Sequence, residues 1–289
     1  MAEQIIIGAS FSTMQRLKEL ANNLRYLSSK ERGADVQMQI AFATPLSITP
    51  IAAVINDRSL SHAGQFNSYL HTVHFPEGVS ECKEVGTYFP IIHLQMEGLT
   101  KADMSRKLES LHSTFLDLLN KNIIADRQFL ELVTKNTFGF LLGELFDNIE
   151  EHSQAKNVYL FAQYWPKTNS CEICLLDDGQ GLLGSLRGAN RDVSSNEDAM
   201  RKILNYRLSA KDEFGDIRRG TGLWNTRLAI INQQLKGEFL ILSGDTAFVQ
   251  SEGQNGQFLK LSETQWNGTI VMMRLVKPVV PFSIYDYVR

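Results

Sequence analysis

The chain has 289 residues, 43% hydrophobic and 21% charged, which is enough apolar material for about two domains with a sizeable core. A formal net charge of −3 argues against a general nucleic-acid surface. Three cysteines and no signal-peptide pattern suggest a reducing, cytoplasmic setting, and the scattered prolines and glycines leave no long linker.

The apolar start, Ile5 to Ile7, is far too short to cross a membrane. Asp35 to Phe42 alternates as a strand, Thr49-Pro50 caps and starts a helix from Ile51 to about Leu60, and Tyr69 to Phe75 reads as a second strand. On that strand His71 and His74 would face opposite sides, which argues against a shared metal. The phrases ATPLSITPIAAVI and SYLHTVHF in this strand–helix–strand unit resemble STAS-type domains, found in anti-anti-sigma factors and fused to ATPase modules. A small STAS-like α/β domain is therefore expected over residues 1–98, followed by a helical connector over 99–134. His112, in LESLHSTFLDLL, lies 36 residues before Asn148. That is too close for a phosphoacceptor helix pair plus the opening elements of a kinase catalytic domain, so it reads as a helix-surface or interface residue.

Beyond the connector, Phe138, Leu141, Leu142, Leu145 and Ile149 form one apolar helical stripe, while Glu144, Asn148 and Glu151 share another face. Glu144 and Asn148 are four apart and therefore neighbours, and their oxygens suit Mg²⁺ or a polarised attacking water. An amphipathic helix with a solvated polar side has the same pattern. Cys171 and Cys174 form a C-x-x-C on a predicted strand, with side chains on opposite faces, and read as two reduced thiols. The apolar run Ile173 to Leu176 is a buried strand that breaks at Asp177-Asp178-Gly179-Gln180-Gly181. Glycines there permit a tight turn against a ligand, and ionised Asp177 can accept a hydrogen bond from an exocyclic amino group. The alternative is a surface turn.

Gly179 to Gly184 also satisfies G-x-G-x-x-G. A dinucleotide site is rejected, because Asp177 and Asp178 would face a pyrophosphate and no second strand carries a ribose-binding acid about 20 residues on. Arg187, Arg191, Arg201, Lys202, Arg207 and Lys211 are candidates for a cationic lid over phosphate, against a solvated helix centred on Ala199 to Leu208. Next, Arg218 and Arg219 precede Gly220-Thr221-Gly222 and the helical run Leu223 to Leu235, whose N-terminus favours phosphate. Gly268-Thr269 opens the last apolar strand, Ile270 to Leu275.

The ordered set E-x-x-x-N, D-x-G-x-G and G-x-G-L in ELFDNIEEHS, LLDDGQGLLG and RRGTGLWNTR resembles the N, G1 and G2 boxes of the GHKL ATPases, the gyrase, heat-shock chaperone, histidine kinase and MutL superfamily. The likeness covers about residues 135 to 277, within an expected domain 135–289. It implies a Bergerat α/β sandwich, a mixed sheet with helices on one face, that binds ATP and Mg²⁺. By that resemblance Glu144 is the catalytic base, Asn148 the Mg²⁺ ligand, and Asp177 the adenine contact, aided by Thr269. Gly179, Gly181, Gly220, Thr221 and Gly222 then border the nucleotide and its lid.

The expected activity is Mg²⁺-dependent ATP hydrolysis that drives a regulatory switch, through a protein partner or a second copy, with no membrane or nucleic-acid partner. Two alternatives stay open. One is an anti-sigma-type serine/threonine kinase, for which Ser47 or Thr49 marks the matching phosphoacceptor turn. The other is a non-enzymatic nucleotide-binding scaffold.

Overall fold

The computed structural model describes residues 4–8, 12–65, 68–82, 86–122, 139–210, 222–232 and 235–277. Strands and helices alternate first: β1 (Gln4–Ile7), α1 (Thr13–Ser28), β2 (Asp35–Ile40), α2 (Pro45–Asp57) and β3 (Ser61–Gln65). The strands form a parallel sheet in the order β1-β2-β3. In β2 the alternation is strict, with Val36, Met38 and Ile40 buried and their neighbours exposed. Leu17, Leu20, Leu24 and Leu27 line one face of α1 at helical spacing and close over that side of the sheet.

A second sheet has seven strands: β4 (Tyr88–Gln95), β5 (Asn157–Trp165), β6 (Ser170–Asp177), β7 (Glu238–Gly244), β8 (Thr246–Ser251), β9 (Gln257–Lys260) and β10 (Trp266–Val276). Their order is β4-β5-β6-β10-β7-β8-β9, and every pairing is antiparallel. One face packs beneath α4 (Lys101–Asn122), α5 (Gly139–Asn148), α6 (Gly181–Gly188), α7 (Asn196–Tyr206) and α8 (Gly222–Ile230), with Phe115, Leu141, Leu175 and Met273 in one core. The opposite face joins α1, α2 and the small sheet in another core, to which β6 and β10 contribute Cys174, Leu176 and Met272. Since both of its faces are covered, all eight residues of β6 are buried. Cys171 and Cys174 do lie on opposite faces, one in each core.

A polar pin crosses the second core. Buried Arg16 of α1 meets buried Glu172 of β6, donating from Nη1 to both carboxylate oxygens at 2.8 and 2.7 Å. The Leu46 N–H in the first turn of α2 adds a third contact to Glu172 at 3.0 Å, and Arg16 also donates to the Thr44 hydroxyl at 2.9 Å.

The chain is therefore a mixed α/β protein, in which the parallel strand pairs among the described residues belong to the small sheet, apart from a single parallel bridge from Val79 to Ile92 of β4, and the large sheet is covered on both faces. The large sheet is antiparallel in all its strand pairs, unlike the expected mixed sheet; the helices after β4 do lie on one of its faces, and the first helices cover the other. The strand β4, which precedes residue 98, is an edge strand of the large sheet. Helix α2 also starts earlier than expected. The sequence holds two Thr-Pro pairs, and the first is used: Thr44 is the N-cap, in a reciprocal capping box with Ser47, and Pro45 opens the helix. Pro50 then lies inside the helix, and the Thr49 hydroxyl donates to the Pro45 carbonyl at 2.7 Å instead of capping. The strand expected over Tyr69 to Phe75 is instead the short helix α3 (Ser68–Thr72) and a turn, because Leu70 and Val73, three apart, point inward together. The second strand is β3, at Ser61–Gln65.

Candidate functional site

Leu141, Leu142, Leu145 and Phe146 bury the inner face of α5, and Ile149 continues it into a single π turn, Ile149–Ser153. Phe138 lies outside the described residues. This arrangement leaves Glu144 and Asn148 half-buried on one side, a helical turn apart. A wide turn after Asn148 is a common way for a helix to re-aim a functional side chain. At its end Ser153 folds back, its hydroxyl donating to the Ile149 carbonyl at 2.7 Å while its own carbonyl accepts the Gln180 N–H at 2.8 Å.

Asp177 ends β6 directly opposite Thr269 of β10. Its carboxylate is 5% exposed and accepts the Gly179 N–H at 2.9 Å. Burial pushes the carboxyl pKa up to about 7, with a further upward push from the neighbouring Asp178 charge and opposition from the Gly179 and Thr269 backbone. The Asp177 carbonyl accepts the Trp266 indole N–H at 3.0 Å, which fixes the strand end. Asp178 has a different task. Its carboxylate accepts the Lys156 and Asn157 N–H groups at 2.8 and 2.9 Å and the Asn157 amide at 2.7 Å, pinning the start of β5.

Gly181 opens α6 with φ +67°, a conformation that suits glycine. Ser243 of β7 secures this turn, accepting the Leu182 N–H at 3.0 Å and donating to the Gly268 carbonyl at 2.8 Å. Sequence reasoning missed Ser243, because nothing local marks a serine that bonds 61 residues away. At the other end, Gly222 begins α8 against Glu144, and a methyl group there would come within 2.4 Å of Glu144 Oε2.

These elements enclose a cleft of about 80 Å³. Asn148, Ser153, Asp177, Gly181 and Thr269 supply its polar edge, and Leu145, Leu182, Leu186, Ile203, Leu223 and Val271 its apolar walls. Thus Asn148, Asp177, Gly181 and Thr269 converge on one cavity, with Gly179 bonded to Asp177 and Glu144 beside Gly222. Gly220 and Thr221, like Lys211, Arg218 and Arg219, lie outside the described residues. The remaining lid cations have structural partners. Arg187 binds the Val193 and Ser194 carbonyls, Arg191 the Ser209 carbonyl, Arg201 pairs with Glu197 and Lys202 with Asp198. Arg207 stands over the Trp224 ring, its guanidinium carbon 4.9 Å from the centroid.

His112 is half-buried between α4 and α5, its ring 5.8 Å from Phe146, and burial lowers its pKa. The Ser47 and Thr49 hydroxyls are buried and donate to backbone carbonyls, so neither is presented to a kinase. Among the described residues there is no cluster of three or more His, Cys, Asp or Glu residues that could hold a metal, and no helix is long and apolar enough to cross a membrane. Comparison of the chain with protein-family models returns no match, and comparison with curated proteins returns none either.

Proposed function

We propose that the cleft binds an adenine nucleotide with Mg²⁺ and hydrolyses ATP, as the resemblance to the GHKL ATPases implies, and that the bound state acts as a regulatory switch. The observation that carries this reading is the buried Asp177 carboxylate on the wall of a largely apolar cavity, with Thr269 across the ladder. A flat, apolar ring with an exocyclic amino group suits such walls and gives the carboxylate a donor. Asn148 and Glu144 come from one helix turn, Gly181 from the start of α6 and Thr269 from β10, so segments far apart in sequence meet at one place.

The residues fit Mg²⁺ in the way that ion is usually held, by one or two protein oxygens together with phosphate and water. Asn148 would contribute its amide oxygen, and the ion would neutralise charge on the phosphate oxygens. Glu144, one turn earlier and beside the N-terminus of α8, would orient a water and take its proton. Ser243 and Ser153 hold the α6 turn and the end of α5 in position around the ring. The test is incubation with Mg²⁺ and γ-labelled ATP, using Asp177→Asn to exclude contaminating enzymes. Free phosphate that disappears with Asp177→Asn and with Glu144→Ala supports hydrolysis. Label on protein supports phosphotransfer, and ligand-induced thermal stabilisation without turnover supports a scaffold.

A further inference from the structure

Arg227 on α8 is 9% exposed, yet its Nε has no hydrogen-bond acceptor, and it forms no ion pair among the described residues. Burial lowers its pKa. The guanidinium carbon lies 4.8 Å from the Trp224 ring centroid and 5.7 Å from that of Phe248. Aromatic faces attract a cation but do not take its in-plane N–H bonds. Arg207, at the end of α7, brings a second guanidinium to the same Trp224 ring at 4.9 Å. The Trp224 indole N–H is a third donor, buried and without an acceptor among the described residues. The acids of nearby α7 are already engaged, Glu197 by Arg201 and Asp198 by Lys202.

A buried charge without a partner is expensive, and planar guanidinium forks match oxyanions best. We infer that Arg227, Arg207 and the Trp224 indole N–H form a binding site for an oxyanion of the phosphate class, beside the cleft. The site adjoins the cavity because Leu223 on α8 and Leu208, next to Arg207, line it. The oxyanion has two sources, free phosphate or the terminal phosphate of a nucleotide. The first does not depend on the nucleotide reading above, and the second rests on it.

Trp224 lies in the site, and its emission is separated from that of Trp165 and Trp266 by repeating each titration in Trp224→Phe. Inorganic phosphate, adenosine and ATP are titrated separately into the wild-type chain, Arg227→Met and Asp177→Asn, following tryptophan emission and thermal unfolding. For free phosphate, the wild type shows a saturable response that weakens about tenfold or more in Arg227→Met and persists in Asp177→Asn. For a nucleotide phosphate, phosphate alone is silent, and the preference for ATP over adenosine falls about tenfold in Arg227→Met. The proposal is overturned when Arg227→Met matches the wild type in both the phosphate response and the ATP-to-adenosine ratio. An adenosine response without any effect of Arg227 removes this site and leaves the nucleotide reading standing. A phosphate response without adenosine binding does the reverse. In phosphate-free buffer Arg227→Met should unfold cooperatively at no lower temperature than the wild type, because it removes an unpaired buried cation. Arg207→Gln gives a second reading of the same titrations should Arg227→Met fail to fold.

Discussion

Asp177→Asn should make the protein more stable while abolishing its response to adenosine and ATP through the adenine ring, and the gain should depend on pH. The wild-type carboxyl has its pKa raised to about 7 in the folded chain, against about 3.9 when unfolded. Its folded-state pKa is the higher one. The proton therefore favours the fold below about pH 4, and this contribution is lost as pH rises towards 7. A rise from about 3.9 to about 7, at about 1.36 kcal/mol for each tenfold change in proton affinity, sets an upper bound of about 4 kcal/mol. Asparagine is neutral throughout and its oxygen can still accept the Gly179 N–H, so it avoids that penalty. Urea unfolding should show the two proteins nearly equal at about pH 4 and Asp177→Asn ahead by roughly 2–4 kcal/mol at about pH 8. A ligand that donates to the carboxylate favours its ionised form, so affinity in the wild type should rise through about pH 7. A stability difference that did not change between the two pH values would refute the raised folded-state pKa of Asp177.

Glu172→Gln leaves the Arg16 guanidinium buried without a full counter-charge and should cost about 3–5 kcal/mol. Replacing both residues, Arg16→Met with Glu172→Leu, should recover most of that loss in denaturant unfolding. A double variant as unstable as Glu172→Gln would show that the pair does more than neutralise itself. Thr44→Ala should cost about 1–2 kcal/mol through loss of the α2 cap. Thr49→Val, which is not at the cap, should cost less in the same unfolding assay; the reverse order would restore Thr49-Pro50 as the helix start.

The parts of the fold legible in the sequence are those set by local periodicity. The apolar run at Ile173 to Leu176 became a strand buried on both faces, and the stripe from Leu141 to Ile149 became the inner side of α5. Asp177 and Thr269 were visible as strand-end residues, although their register across the ladder was not. What failed depended on competition between equivalent local signals. Thr44-Pro45 and Thr49-Pro50 are the same cap signal, and only packing of α2 between two sheets selects the first. In SYLHTVHF the spacing of Leu70 and Val73 suits a helix as well as the aromatic residues suit a strand. Two of the lid cations are occupied elsewhere for a reason present in the sequence. Glu197 with Arg201, and Asp198 with Lys202, are pairs at i and i+4 on α7 and already engage those cations. Contacts such as Arg16 to Glu172, 156 residues apart, have no local signature at all.

The buried charges divide by where their partners lie. Glu172 and Asp177 are both buried acids on β6, five positions apart and facing opposite cores. Glu172 is answered inside the chain by the Arg16 guanidinium and the Leu46 N–H, and so joins the first helices to the large sheet. Asp177 faces the cleft with a backbone N–H from the glycine turn for a hydrogen bond, and burial raises its pKa. The same contrast separates the arginines, since Arg16 is paired with a carboxylate and bonded to two hydroxyls, while among the described residues Arg227 has aromatic rings, no ion pair and an Nε without an acceptor. Desolvation disfavours all four charges, but only Arg16 and Glu172 are compensated within the fold. Under the two proposals above, the compensation comes from bound ligands, a hydrogen-bond donor at Asp177 and an oxyanion at Arg227, which is why the two residues are the informative substitutions.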